Sequence, residues 1–224
     1  MERTPLKDRV LPAYTRAEER FHMISHIVGG AFAVAATVLC IILASLHRDP
    51  YAIVSAAVYG VSMILLYTMS SIYHGLSPRL MGKRVFQVMD HCAVFLLIAG
   101  SYTPYCLCTL RQVSPALGWS YFGVVWALTA LAITLNAIDL KKYQVFSNLA
   151  TLLLGWCIIP QAGTILPLLG REGFLLLLSG GIAYTGGCIL YLMGAKRRFF
   201  HAIFHLFVLL GSSLQFFSIF FYVL

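Results

Sequence analysis

The sequence predicts an all-α integral membrane protein: a bundle of seven transmembrane helices with a cytoplasmic N-terminus and a C-terminus outside. Hydrophobic residues make up 60% of the 224 positions and charged residues 11%, against about 25% charged in a soluble domain. Seven apolar stretches each reach the roughly 20 residues that cross a bilayer as a helix. Thirteen of the sixteen Lys and Arg residues fall before the first stretch and in every second connection. Cytoplasmic loops are enriched in these residues, and that alternation sets the predicted orientation.

The seven helices use up the chain after a cytoplasmic N-terminal segment, 1–20. In order, we expect them to cover 21–46, 51–74, 86–109, 119–138, 143–166, 174–193 and 199–224. Residues 21–224 therefore form one transmembrane domain with short connections. Thr15 followed by Glu18 predicts a capping box for a short helix that enters the first span. The segment before it is expected to lie along the cytoplasmic membrane surface.

Small residues and prolines shape the helices within this plan. Paired glycines are expected to let helices approach closely; they are Gly29-Gly30, Gly180-Gly181 and Gly186-Gly187. Pro104, Pro160 and Pro167 are expected to kink or end their helices. The six cysteines lie mostly inside apolar runs without a metal-binding spacing, so we interpret them as small packing residues.

The basic balance of the chain does not indicate a nucleic-acid partner. The formal net charge is +8, and the alternation of basic connections already accounts for it. Contact of the basic connections with anionic lipid of the cytoplasmic leaflet is an expected further contribution.

Ionisable residues inside a membrane are costly and therefore indicate function. Six of the seven histidines are predicted at similar depth near the cytoplasmic face, and only His47 lies in an outer loop. His201 and His205 are four residues apart, so they share one helical face and form a good half of a zinc site. His74 follows Ser70 by the same spacing at the inner end of helix 2. Asp90 is the one carboxylate set within an apolar helix, and it needs a partner such as a cation.

The residues alone leave simpler explanations open. His201 and His205 at a helix start could face lipid headgroups, and His74 could cap helix 2, where a cation suits the helix dipole. His22 and His26 have the same four-residue spacing, so spacing does not choose between the two pairs.

The polar residues beside them have alternatives as well. Ser70 could bond to a carbonyl of its own helix. Asp90 and His91 point about 100° apart. If Asp90 faces the bundle, His91 therefore serves packing or supports the ligands from behind.

Three motifs in order resemble the hemolysin III family, within the progestin and adiponectin receptor (PAQR) group. They are Ser70-Ser-Ile-Tyr-His74-Gly-Leu-Ser-Pro78, Met89-Asp90-His91 running on to Gly100-Ser-Tyr-Thr-Pro104, and His201-Ala-Ile-Phe-His205. The resemblance runs over the whole chain and implies a Zn²⁺ site at the cytoplasmic end of the bundle. It implies His74, His201 and His205 as the ligands, Asp90 as the residue that holds the water on the metal, and Ser70 as a polar residue one turn before the first ligand. His26 and His91 also match bacterial members, without an implied ligand role.

The predicted function is a zinc-dependent hydrolase, or a sensor derived from one, that acts on amide or ester bonds of membrane lipid. The resemblance implies that alkaline ceramidases are more distant relatives. These enzymes cleave lipid amides with a similar Ser, Asp and three-His arrangement. Asp90 and Ser70 are the predicted catalytic residues, and an open three-His metal is typical of catalytic zinc. The alternatives are a non-enzymatic lipid receptor or membrane-homeostasis factor with structural zinc and, with less support, a cytolytic pore. The predicted location is a bacterial inner membrane, and the oligomeric state is left open.

Overall fold

The computed structural model describes residues 3–194 and 198–224, and every regular element in them is helical. The helices are α1 Arg16–Leu46, α2 Pro50–Gly75, α3 Met81–Pro104, α4 Pro115–Ile138, α5 Gln144–Trp156, α6 Ala162–Gly194 and α7 Phe200–Tyr222. Short 3₁₀ turns cover Leu6–Asp8 and Ile159–Gln161. Lys196 and Arg197, two of the basic residues counted in the last connection, lie outside the described residues.

Helices α1 and α3 begin about one turn earlier than the apolar pattern predicts. The predicted capping box is present at the start of α1: the Thr15 hydroxyl accepts from the Glu18 N–H at 3.3 Å, and the Glu18 carboxylate accepts from the Thr15 N–H at 2.9 Å. At the start of α3, Lys83 lies within the first turn and is buried. Some charged residues that the apolar pattern assigned to connections therefore lie within helices, where caps and nearby partners provide their hydrogen bonds.

Regular α-helix is interrupted at Pro104 and at Pro160, as predicted, whereas Pro167 lies within α6. Pro104 ends α3, since it has no N–H to donate and its ring crowds the preceding turn. The chain continues as a π-helical stretch, Tyr105–Leu110, in which all six residues are buried. One further turn, Arg111–Val113, leads to Ser114, whose side chain accepts from the Leu117 N–H and starts α4.

The region from α5 to α6 differs from the predicted pair of separate helices. Six helical stretches of the described chain are long and apolar enough to cross a membrane, and the fifth of them is the whole of Gln144–Gly194. Within it Gly170 has φ 66° and ψ 172°, a backbone conformation that suits glycine. Trp156 Nε1 donates to Thr185 Oγ1 at 2.9 Å, so residues before Gly170 lie beside residues after it.

Contacts between sequence-distant segments define one end of the bundle. Arg9 Nη2 donates to the Ile138 carbonyl at 2.7 Å, and Arg84 Nε donates to the Arg9 carbonyl at 3.2 Å. The Phe199 N–H donates to Glu18 Oε1 at 3.0 Å. The N-terminal segment and the ends of α1, α3, α4 and α7 therefore meet at one place, which we call the basic end.

The opposite end gathers the other connections. The Arg111 guanidinium lies 3.5 Å from the centre of the Tyr51 ring, which brings the α3–α4 connection to the start of α2. Tyr222 at the end of α7 donates to the Glu172 carboxylate, two residues after Gly170, at 3.0 Å. These contacts involve the connections that carry the single basic residues Arg111 and Arg171.

Candidate metal centre

Four buried histidines converge at the basic end of the bundle. His22 comes from the first turns of α1, His74 from the last turn of α2, and His201 and His205 from the start of α7. Each offers one ring nitrogen, and these four atoms all lie within 4.8 Å of one another. The three predicted ligands are therefore brought together, with His22 as a fourth member. We call these residues the histidine cluster.

The spacing within the histidine cluster suits a metal ion. His201 Nε2 and His205 Nε2 are 3.1 Å apart, close to the about 3.3–3.4 Å that separates two nitrogens of a tetrahedral site with metal–nitrogen bonds of about 2.0–2.1 Å. The His22 ring centre lies 4.6–4.8 Å from those of the other three. Small side-chain adjustments would bring all four nitrogens to a single ion.

Glu19 orients His74 from behind the cluster. Its carboxylate lies 2.7 Å from His74 Nδ1 and 2.7 Å from Lys83 Nζ. Lys83 also donates to the Tyr73 carbonyl at 3.0 Å. With its proton on Nδ1, His74 donates to Glu19 and turns Nε2 towards the other histidines. Such carboxylate–histidine pairs are the usual support of a metal ligand.

Ser25 gives His205 a comparable support. The Ser25 hydroxyl donates to the His22 carbonyl at 2.9 Å, and His205 Nδ1 lies 3.4 Å from the same oxygen. Since the hydroxyl proton is already engaged, Ser25 accepts from the Nδ1–H of His205. That tautomer leaves His205 Nε2 as an electron-pair donor, which is what metal binding requires.

Several nitrogens of the cluster have no hydrogen-bond partner among the residues that the structure describes. They are His74 Nε2 and both ring nitrogens of His22. A buried polar group without a partner typically costs about 1–3 kcal/mol. Four buried imidazoles with ring nitrogens this close to one another form the donor set of a zinc or similar transition-metal site. The residues present therefore fit a metal ion.

Ser70 and Asp90 line a cavity beside the cluster and are not part of it. The cavity has a volume of about 210 Å³ and runs from the basic end towards the middle of the bundle. His201 and His205 contribute to the same wall, so the predicted catalytic residues and two predicted ligands share this space. Most of the remaining lining is apolar, including Phe95, Leu97, Ile98, Leu152, Phe174 and Val208.

The N-terminal segment covers the basic end of the cavity. Tyr14 stacks on the His201 ring at 5.0 Å between centres and meets the His22 ring edge-on at 5.0 Å. Burial raises the pKa of the Tyr14 hydroxyl above its ordinary value, so Tyr14 stays neutral beside the cluster. Upstream, the Thr4 N–H donates to Asp139 Oδ2 at 3.0 Å. The segment thus reaches across the bundle from α4 to α1.

The other histidines take up separate positions. His26 stacks on His205 at 3.8 Å between ring centres, and its edge faces Tyr67. His91 lines the cavity and lies 6.2 Å from the Tyr191 ring. Neither belongs to the group of close ligand atoms, in accord with the absence of an implied ligand role.

Sequence reasoning missed His22, Glu19 and Ser25 as parts of the site. The spacing of His22 and His26 indicates a shared helical face, but the spacing carries no information on which of the two is level with His74. Glu19 belongs to a charged helix start, where a solvated carboxylate is the ordinary expectation. Glu19 lies about one helical turn before the pair His22 and His26, and a polar residue at that distance is the one sequence signal that could have drawn attention to this part of α1.

The amino-acid sequence of this chain is similar to those of known bacterial and mammalian proteins. The sequence profile described as Haemolysin-III related matches residues 14–216. Hemolysin-3 of Bacillus cereus is 40% identical over 208 residues, which cover 92% of this chain and 92% of that protein. The Hemolysin-3 homolog of Bacillus subtilis (strain 168) is 36% identical over 209 residues, 93% and 96% of the two chains. The human monocyte to macrophage differentiation factor is 26% identical over 214 residues, 94% and 82% of the two chains.

Proposed function

The chain belongs to the haemolysin III family of multi-pass membrane proteins, within the PAQR group, and on that premise we propose that it is a zinc-dependent hydrolase of membrane lipid. The observation that carries the proposal is the buried histidine cluster beside a cavity that also holds a carboxylate and a hydroxyl. Bacterial relatives at 36–40% identity support a bacterial inner membrane as its location.

We propose that the chain crosses the membrane seven times with the basic end in the cytoplasm. The turn at Gly170 supports this count, because it divides the 51-residue stretch Gln144–Gly194 into two antiparallel halves. The contacts that bring the basic segments to one end support the orientation, since Lys and Arg are enriched on the cytoplasmic side. This topology places the histidine cluster near the inner leaflet and the N-terminus inside.

His74, His201 and His205 are the proposed ligands that hold zinc. When bound, zinc supplies Lewis-acid chemistry: it polarises a carbonyl and makes water a better nucleophile near neutral pH. Glu19 and Ser25 hold His74 and His205 in the required tautomers, which leaves the protein's own side chains to position the reactants.

Asp90 and Ser70 are the proposed catalytic residues. Both side chains line the cavity. Asp90 would orient the attacking water and accept its proton, and a positioned general base contributes typically 10²–10⁴-fold. Ser70 would donate to the oxygen that becomes negative when water adds to the carbonyl.

The proposed substrate is a membrane lipid with an amide or ester bond near its headgroup. The cavity offers an apolar path for an acyl chain, and the polar residues lie at its basic end. Basic residues at that end would attract the anionic headgroups of the inner leaflet. The carbonyl of such a lipid would then enter at the level of Asp90.

A second candidate function is a lipid receptor or membrane-homeostasis factor in which the metal has a structural role. The specific observation in its favour is His22, because four protein ligands are typical of structural zinc, and catalytic zinc keeps one position open. In that case the metal would tie α1, α2 and α7 together at the basic end.

Zinc content and lipid hydrolysis measured together separate the two functions. The purified protein would be assayed for bound zinc and for fatty acid released from a ceramide and from a phospholipid in mixed micelles. We expect His205→Ala to lose zinc and hydrolysis, and Asp90→Asn to keep zinc and lose hydrolysis by at least about 10²-fold. His47→Ala, at the opposite end, is the matched histidine control and should behave as wild type.

Two results would decide against the hydrolase. Wild-type protein without stoichiometric zinc would remove the basis of the mechanism. Full lipid turnover by Asp90→Asn would remove the proposed base. If chelation lowers the melting temperature and lipids remain unchanged with the wild-type protein, the structural role of the metal is the correct one.

A further inference from the structure

We propose that His22 is a fourth and displaceable ligand, so that the protein itself fills the coordination position that a substrate needs. This inference rests on the metal site of the proposed function and extends it: the centre alternates between a closed form with four imidazoles and an open form with three. Neither the three motifs nor the family resemblance implies a ligand on α1.

The geometry of His22 is that of a ligand. Its side chain is fully buried at 0% exposure, and its ring lies 4.6 Å from His74, 4.7 Å from His201 and 4.8 Å from His205 between centres. It faces the three predicted ligands at once, from a helix, α1, that contributes none of them. A tetrahedral ion has four such positions, and no other side chain of the described residues completes a group of ligand atoms this close.

No hydrogen bond among the described residues holds His22 from behind, in contrast to His74 and His205. His74 is fixed by the Glu19 carboxylate at 2.7 Å, and His205 Nδ1 lies 3.4 Å from the Ser25 hydroxyl. Neither nitrogen of His22 has a hydrogen-bond partner among the described residues. Partners behind a ligand raise its basicity and fix its orientation, so His22 is expected to leave more readily than His74 or His205.

Release of His22 would couple the state of the metal to α1 and the N-terminal segment. The edge of the His22 ring faces Tyr14, which also stacks on His201 and lines the cavity. A lipid carbonyl that enters the cavity from the side of Asp90 would take the position of His22 on the metal. The imidazole would then turn towards Tyr14. A single site could in this way be closed at rest and open when a lipid is present.

The test is the coordination of Co²⁺, which replaces zinc and reports its ligands by visible absorption and X-ray absorption. Wild-type protein, His22→Ala and His26→Ala would be loaded with Co²⁺ in detergent. His26→Ala is the matched control, because His26 is one turn further along α1, is buried and also stacks on His205. Wild type and His26→Ala should show four nitrogen ligands, and His22→Ala three nitrogens and an oxygen.

Affinity and chemical rescue complete the test. His22→Ala should bind Co²⁺ at least about tenfold more weakly than the wild type. Loss of a hydrogen-bond partner behind a ligand already weakens metal binding by about tenfold or more. Free imidazole should restore its four-nitrogen spectrum. Azide should bind the Co²⁺ of His22→Ala more than tenfold more tightly than that of wild type, because in the wild type it must displace His22.

The outcomes separate this inference from the metal site itself. Wild-type protein with three nitrogens and an oxygen, or equal azide affinity in wild type and His22→Ala, would overturn the fourth ligand and leave the proposed function standing. Wild-type protein that binds neither zinc nor Co²⁺ would overturn both. If His22→Ala fails to fold, two measurements on the wild type decide the question: its number of nitrogen ligands and its azide titration. Four nitrogens together with azide binding would support a displaceable fourth ligand, since a firmly held one would exclude azide altogether.

Discussion

Replacing Glu19 by Gln is expected to weaken zinc binding by about 10–100-fold, the usual effect of removing a hydrogen-bond partner behind a metal ligand. That range corresponds to about 1.4–2.8 kcal/mol of binding free energy. The Glu19 carboxylate accepts from His74 Nδ1 and from Lys83 Nζ, both at 2.7 Å. A glutamine has one acceptor oxygen at that place and an NH₂ group that repels either donor. It therefore cannot support both partners.

Two variants show whether the effect passes through His74. Glu18→Gln changes the neighbouring carboxylate, which is bonded to Thr15 and Phe199 and not to a histidine; it should lower the melting temperature and leave zinc affinity unchanged. Lys83→Met leaves Glu19 bonded to His74 alone, so zinc affinity should stay the same or rise, although a buried ion pair is lost. Zinc affinity would be measured by competition with a chelator, and folding by the melting temperature without metal.

The reasoning about Glu19 fails if zinc affinity follows stability and not contact with His74. Glu19→Gln with wild-type affinity would show that His74 does not depend on the carboxylate. Equal losses in Glu19→Gln, Glu18→Gln and Lys83→Met would show a general weakening of the basic end.

Two other expected outcomes concern the scaffold around the site. Gly118→Ala should lower the free energy of unfolding by about 1–3 kcal/mol, because the added Cβ would lie 2.6 Å from backbone atoms of Arg111. Gly123→Ala on the same helix should leave the free energy of unfolding unchanged, because its Cβ would meet nothing within 4 Å. Equal melting temperatures of the two variants would contradict this packing argument. Hydrogen bonds from Thr4 and from the backbone N–H groups of Lys141 and Lys142 lower the pKa of Asp139 from 3.8 to about 2. A lowered pKa in the folded state contributes stability above pH 3.8 that is lost as the pH falls towards about 2. The backbone amide of Thr4 should therefore lose protection against hydrogen exchange as the pH falls over that interval. In Asp139→Asn the protection of this amide should not change over the same interval.

Much of the fold follows from local properties of the sequence. The apolar stretches and the alternation of basic residues predict membrane helices and bring the basic segments to one end. Thr15 and Glu18 predict the start of α1, and Pro104 predicts the interruption after α3. These predictions succeed because caps, prolines and side-chain polarity act within a few residues of the chain. The sequence also predicts two helices within 143–193, because Arg171 and Glu172 interrupt the apolar pattern there; in the structure helix continues on both sides of Gly170.

The site was only partly within reach of the same reasoning. His201 and His205 share a face by their spacing, and so do Ser70 and His74. Asp90 stands out as a carboxylate within an apolar helix, and the family resemblance implied the role of each residue. The assignment of Asp90 and Ser70 to catalysis and of three histidines to the metal stays a prediction, which the described geometry supports. Glu19 was not expected to support a ligand, because a carboxylate in the first turn of a helix ordinarily faces solvent.

The sequence by itself determined that this is a helical membrane protein, and it predicted six of the seven histidines at similar depth, because hydropathy, charge and helical period are properties of neighbouring residues. Only the tertiary structure decided that His22 joins His74, His201 and His205, whereas His26 stacks behind them. That choice depends on how far α1 is rotated and shifted along its axis against α2 and α7. Packing between helices sets both quantities, and no spacing within a single helix records them.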